Sequence, residues 1–158
     1  MGRMASPASG PLLTDRAKRV MQRALEEKAR LGHPRLCAEH ILVGLLGDRR
    51  GMSAFVLREL GVKESELLER ARAALGPEAP DPMVGEAAVM EAAQRWAVEL
   101  KQVSVGTEHL LLALVGSGSA AARWLQNEGV TEAEARVTTE RLFQTVRRRS
   151  GEVEPPTQ

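Results

Sequence analysis

Tyrosine is missing altogether from this chain of 158 residues, and the other rings are few: Phe55, Phe143, Trp96 and Trp124. The 43% of apolar residues must therefore build a core from Leu, Val, Ala and Met, which, with abundant Glu and Arg, favour helices. Cys37 is the only cysteine, which excludes an intrachain disulfide framework and agrees with a reducing compartment. No apolar run approaches the roughly 18 residues of a membrane span, and no signal-peptide core follows Met1. A cytoplasmic protein without a membrane partner is the expectation. Charge of one sign is also lacking, the formal net charge being +1. Residues 1–76 carry 14 basic and 9 acidic side chains and residues 77–158 carry 8 and 12. Arg147-Arg148-Arg149 is the one sharp basic cluster, and it closes a helix, where cations offset the dipole. Without a dense basic stripe, nucleic acid is not the expected partner.

What the chain does have is an internal duplication. Val20-Met21 returns as Val89-Met90, Ala24 as Ala93 and Leu31 as Leu100, always 69 positions later. Glu39-His40-Ile41-Leu42 returns as Glu108-His109-Leu110-Leu111. The offset becomes 68 at Leu57/Leu125 and Gly61-Val62/Gly129-Val130, so the second copy lacks one residue in between.

Periodicity places four helices in each copy. Ala17, Val20, Met21, Ala24, Lys28 and Leu31 follow three/four spacing, and Gly32 stands where a left-handed C-cap belongs. A second helix over about 38–46 is apolar almost all round, which predicts burial at the centre. Ser53 can cap a third helix, and a fourth runs near 64–75. The second copy repeats the plan over about 85–100, 107–115, 120–127 and 131–146, with Thr107 and Thr131 as suitable N-caps. No segment alternates long enough to claim a strand. The expected fold is all-α, eight helices in two four-helix repeats related by a pseudo-two-fold. Expected boundaries are a flexible 1–12, repeat one at about 13–75, a Pro-rich linker 76–84, repeat two at about 85–146, and a disordered tail 147–158.

Leu13-Thr14-Asp15-Arg16-Ala17, Leu31-Gly32-His33, Ala38-Glu39-His40-Ile41-Leu42-Val43-Gly44-Leu45-Leu46 and Val105-Gly106-Thr107-Glu108-His109-Leu110-Leu111-Leu112-Ala113-Leu114 resemble the N-terminal domain of Clp ATPases, closest to the ClpC type. The resemblance spans about residues 13–146. It implies a duplicated helical globule without enzymatic activity, a monomer that receives adaptors and substrates above an ATP-driven unfoldase ring serving the ClpP peptidase. No G-x-x-x-x-G-K-[ST] phosphate loop occurs in the chain. A complete chain of this kind would be a stand-alone N-domain protein that competes for ligands. A piece of a longer chain would be an unfoldase's receptor domain, and a third reading is an accessory docking on the ClpP ring.

The resemblance also implies two phosphoarginine sites, one per repeat, with the Glu of the T-E-H motif facing the guanidinium. Hydroxyl and amide groups near helix starts would hold the phosphate, which suits a positive helix end. Carried over, the first site takes Thr14, Ala38 and Glu39, and the second Thr107 and Glu108. Met83 and Gly85 stand where Thr14 and Arg16 stand in copy one, so the second site lacks a hydroxyl. Cys37-Ala38 replaces the family's Gly-Thr, and Asp48-Arg49-Arg50 its acidic loop. On this mapping Glu39→Ala should abolish phosphoarginine binding with little change in melting temperature. Glu39 and Glu108 also have a purely structural reading as first-turn carboxylates favoured by the helix dipole, by about 0.3–1 kcal/mol. Met83-Val84 could add an apolar lip for a cyclic-peptide ligand, a class the resemblance implies.

No metal or cofactor is expected: His40 and His109, with His33 nearby, come without an evident third or fourth ligand, and the repeated histidines suit hydrogen bonds to interhelical turns. Cys37 reads as a small buried thiol. Trp96 replaces Glu27 of the first copy, and is either an exposed anchor for a partner or a cover for the linker. No nucleophile–base pair emerges, so no catalytic residue is assigned.

Overall fold

Eight helices form where the periodicity places them, in a computed structural model that describes residues 12–151. They are α1 (Asp15–Leu31), α2 (Ala38–Leu46), α3 (Met52–Glu59), α4 (Glu64–Ala74), α5 (Glu86–Glu99), α6 (Thr107–Val115), α7 (Ala120–Asn127) and α8 (Glu132–Arg149). Among the described residues there is no strand, only two single-residue bridges, Leu13 with Val105 and Cys37 with Gly85. α8 continues to Arg149, three residues into the segment expected to be tail, with Arg147, Arg148 and Arg149 in its last turn. The remaining expectations for the two termini concern 1–11 and 152–158, which lie outside the described residues.

Local chemistry sets the ends. The Thr14 hydroxyl accepts from the Ala17 N–H at 3.1 Å, Asp15 follows in the first turn, and Gly32 closes α1 at φ 70°. Two caps differ from expectation. Gly51, not Ser53, caps α3, and Gly106 caps α6, so that Thr107 is the first helical residue. Ser53 lies inside α3, and its N–H donates to a side-chain oxygen of another helix, Thr107 Oγ1.

Every residue of α2 and α6 is buried, as their all-round apolarity requires. These two helices form the centre. α1 packs along α2 and α5 along α6, and the core residues Ala17, Val20, Ile41, Leu42, Leu110 and Leu111 belong to one continuous cluster. Gly44 permits the close α1–α2 contact, since a Cβ there would run into the Val20 carbonyl and the Ala24 amide. The two repeats are interleaved rather than side by side: α3 packs on α6 and α8 of the other repeat, and α7 on α2 and α4.

Candidate functional site

The short connection after Gly32 makes α1 and α2 antiparallel, and that decides what Thr14 can reach. The α2 N-terminus lies at the α1 C-terminal end, where His33 Nδ1 and His40 Nε2 stand 2.8 Å apart. At the other end Arg16 pairs with Asp48, just past α2, at 2.9 Å. Thr14 and Glu39 therefore sit at opposite ends of α2 and do not share a site.

Thr14 instead meets the second repeat. Its N–H donates to Val105 O at 3.0 Å, and the Val105 N–H donates to Leu12 O at 2.8 Å. This brings Thr14 alongside the strand-like entry to Gly106-Thr107-Glu108. At the other junction, in an antiparallel rather than a parallel bridge, Ala38 N–H donates to Val84 O at 2.8 Å and Glu86 N–H to Leu36 O at 3.1 Å. Met83 and Val84 thus flank Ala38 and Glu39, with Met83 40% exposed. Each candidate cluster is built from both repeats, with partners exchanged relative to the sequence mapping.

The two glutamates have different employment. Glu39 is completely buried, and its Oε2 accepts from the Ala121 N–H at 3.0 Å, satisfying the start of α7. At the related place, Thr107 Oγ1 accepts from the Ser53 N–H at 3.1 Å and satisfies the start of α3. Ala38, the counterpart of Thr107, has no hydroxyl, so the neighbouring Glu39 does the capping. Where Thr107 caps, Glu108 is released. Its carboxyl folds back over Gly106, a position where any Cβ would collide with it. Burial holds the Glu108 carboxyl above the usual carboxylate range, the response of a buried acid without a cation. The nearest cationic candidate, His109, lies 4.0 Å away and is itself kept neutral, its pKa pushed down to about 4 by burial.

Surrounding charge separates the clusters further. Beside Thr107, the loop before Gly51 carries Arg49 and Arg50, both exposed, and Arg16 reaches Asp48. A Cβ on Gly51 would lie 2.9 Å from Thr107 Oγ1, so this loop abuts the Glu108 end of α6. Near Glu39 the Oε1 atom has no hydrogen-bond partner, and a cavity of about 110 Å3 is lined by Glu39, Glu78, Asp81, Ala120 and Trp124. The loop beside Thr107 thus carries Arg49, Arg50 and the Arg16–Asp48 pair, whereas the cavity at Glu39 is lined by two further carboxylates, Glu78 and Asp81.

The histidines hold turns, as their sequence positions suggest. His40 Nδ1 accepts from Cys37 N–H at 3.0 Å, and His109 Nδ1 from Gly106 N–H at 2.8 Å. That leaves His40 Nε2–H to donate to His33 Nδ1, and His33 Nε2–H to Gly76 O at 2.7 Å, tying the linker to repeat one. Burial and the neighbouring His33 bring the His40 pKa down to about 4. Cys37 Sγ lies 3.3 Å from His40 Nδ1, but burial and the nearby Glu39 push its pKa up to about 11, so it is a core thiol rather than a nucleophile. Trp96 is half-buried between α5 and α8, with the Arg136 guanidinium 5.7 Å from its ring. Trp124, not Trp96, lies beside the linker. Ala121 and the acidic linker residues Glu78 and Asp81 were missed by the motif, because only the interleaving of repeats brings them to Glu39.

Among solved structures, the fold is similar to the Hsp104 N-terminal domain from Candida albicans (TM-score 0.66, 16% identity, covering 84% of this chain and 91% of that one). It is similar also to the ClpD N-terminal domain from Arabidopsis thaliana (TM-score 0.64, 19% identity, 84% and 94%). Of curated proteins, a chaperone protein ClpB from Oceanobacillus iheyensis is 37% identical over 129 residues, 78% of this chain. ClpC/MecB of Bacillus subtilis, a negative regulator of genetic competence, is 35% identical over 136 residues, also 78% of this chain. The chain spans 16% of the length of each of these two relatives. Its sequence matches the Clp repeat (R) N-terminal domain twice, over residues 12–88 and 86–158. With the duplicated eight-helix fold beside it, that match makes the chain a member of the Clp repeat N-terminal domain family.

Proposed function

We propose that this protein is a non-enzymatic binding domain of the cytoplasm. It recognises adaptors or degradation-tagged proteins of a Clp system through a phosphoarginine site at Thr14, Thr107 and Glu108. The observation that carries this reading is Glu108: a buried carboxyl relieved of capping by Thr107, and without a cation. A guanidinium supplies the cation. The phosphoryl group it bears meets the α1 N-terminus beside Thr14 and the arginines Arg16, Arg49 and Arg50. The Glu39 cluster suits a phosphoryl group less well. Met83 offers no hydroxyl there, and Glu78 and Asp81 repel an anion. Its cavity fits a plain cationic group, and its Met83-Val84 lip an apolar or cyclic peptide. As a separate protein the domain competes with an unfoldase's own N-domains for ligands; as part of a longer chain it is the receptor of that unfoldase. Docking on a ClpP-type peptidase is the remaining reading.

Calorimetric titration with free phosphoarginine, with arginine and phosphate as controls, tests the site. One saturable site per chain, lost in Glu108→Gln and kept in Glu39→Gln, is expected. Binding that survives Glu108→Gln and disappears in Glu39→Gln overturns the assignment.

A further inference from the structure

Comparison of the two repeats exposes a groove that one fills with its own side chain and the other leaves open. In repeat one, the Arg23 side chain lies across Gly47, its Cδ 3.3 Å from where a Cβ would stand. Buried Glu27 is held by Arg30 at 2.6 Å and Arg72 at 3.7 Å, and Glu64 by Arg58 at 2.8 Å. At the offsets of the duplication, Arg23 becomes Ala92, Glu27 becomes Trp96, Arg30 becomes Glu99, Arg58 becomes Gln126 and Arg72 becomes Glu140. Four arginines are lost, two of them, at Ala92 and Glu99, from the lining of one groove. Glu64, however, is retained as Glu132.

The consequence is an open groove of about 400 Å3 between α5, α6 and α8, lined by Ala92, Trp96, Ala113, Gly116, Glu132 and Arg136 among others. Gln126, in Arg58's place, turns instead to Val115 O at 3.3 Å. Glu132 leans into the groove over Gly116, its Oε2 2.5 Å from where a Cβ would lie, and no cation is paired with it among the described residues. The groove's other charges are accounted for: Arg136 pairs with Glu99 at 3.0 Å and Arg95 with Glu91 at 3.5 Å.

We propose that this groove docks an unmodified arginine side chain of a partner protein, whose guanidinium pairs with Glu132 while its stem lies along Ala92 and Trp96. The chain supplies its own template: an arginine stem crosses the equivalent glycine in repeat one, and an arginine holds the equivalent glutamate. Arginine suits the site better than lysine because its planar, weakly hydrated head tolerates the indole wall. This site is separate from the Thr14/Glu108 cluster and does not depend on it.

The probe is the capped peptide acetyl-Gly-Ala-Arg-Ala-Gly-amide, with a citrulline peptide of the same shape and no charge. Trp124→Phe leaves Trp96 as the only fluorophore, and amide shifts of Ala113, Gly116 and Glu132 locate the contact. The arginine peptide is expected to give a saturable response, weaker by about tenfold with citrulline or in Glu132→Gln, the scale of one charge-assisted contact. Ala92→Arg, which restores the residue of repeat one, is expected to occupy the groove and abolish binding in a folded protein. Equal affinity for citrulline, persistence of binding in Ala92→Arg, or shifts confined to residues near Glu39 or Glu108 would overturn the proposal.

Discussion

Removing the Glu39 side chain tests whether this residue is scaffold or receptor. Its Oε2 accepts from the Ala121 N–H at the start of α7, and the residue is wholly buried. Glu39→Ala takes away the partner of that buried amide, a loss of about 1–3 kcal/mol. For a domain of this size, about 2 kcal/mol lowers the melting temperature by roughly 4–8 °C. The motif alone suggests that the change leaves stability alone; the geometry of α7 says otherwise. Glu39→Gln keeps a carbonyl oxygen for Ala121 and should stay within about 1 kcal/mol of the parent, losing only the favourable dipole interaction. Ala38→Thr supplies the hydroxyl that Thr107 supplies on the other side, so Glu39→Ala should cost less in that background. Differential scanning calorimetry of the parent, the three single variants and the Ala38→Thr/Glu39→Ala double variant reads all three effects. A Glu39→Ala melting point within 1 °C of the parent would refute the capping role.

Three further outcomes follow from the same geometry. His40 and His109, each with a folded pKa brought down to about 4, favour folding fully only above their unfolded value of about 6.5. Stability is therefore lost as pH falls from about 6.5 toward 4, at up to about 1.4 kcal/mol per pH unit for each histidine; urea melts across that range would show a flat profile if the reasoning fails. Glu108 has the opposite sign, because burial raises its folded pKa: the protein is favoured with Glu108 protonated, and that advantage disappears as pH rises. Glu108→Gln should therefore melt higher than the parent at pH 7 while losing phosphoarginine, and a lower melting point at pH 7 contradicts the buried-acid argument. Gly44→Ala pushes a methyl into the Val20 carbonyl and should cost about 1–3 kcal/mol by chemical denaturation, whereas its counterpart already carries Ala113; a neutral Gly44→Ala would mean that α1 and α2 can separate at little cost.

Much of the fold is legible in the sequence because each signal is local. The three/four spacing from Ala17 to Leu31 and the glycine at 32 specify α1, and the all-round apolarity of α2 and α6 specifies their burial. The offset of 69 then transfers the first repeat's reading to the second. Partnership across the repeats is not local. Equivalence between copies suggests that Thr14 belongs with Glu39, since both are in repeat one. The short α1–α2 connection already argues against this, because an antiparallel hairpin puts two helix starts at opposite ends. What sequence could not supply is the exchange of α3 and α7 across the pseudo-two-fold, which sets Thr107 against Ser53 and Glu39 against Ala121. The two missed caps share that origin. Ser53 is a good capping residue, but Thr107 takes its amide and Gly51 becomes the boundary. Trp96 stood out from the duplication as an aromatic in place of Glu27, yet its groove became visible only through the arginines that repeat two lacks.

The central claim is that the binding site is assembled from the start of repeat one and the T-E-H turn of repeat two. Amide chemical-shift mapping during titration with phosphoarginine tests it most directly. Thr14–Ala17 and Val105–His109 should move together, with one common dissociation constant, while Leu36–His40 and Val84–Glu86 stay in place. Movement of Leu36–His40 and Val84–Glu86 with Val105–His109 unmoved would contradict the account, and would return the ligand to Glu39.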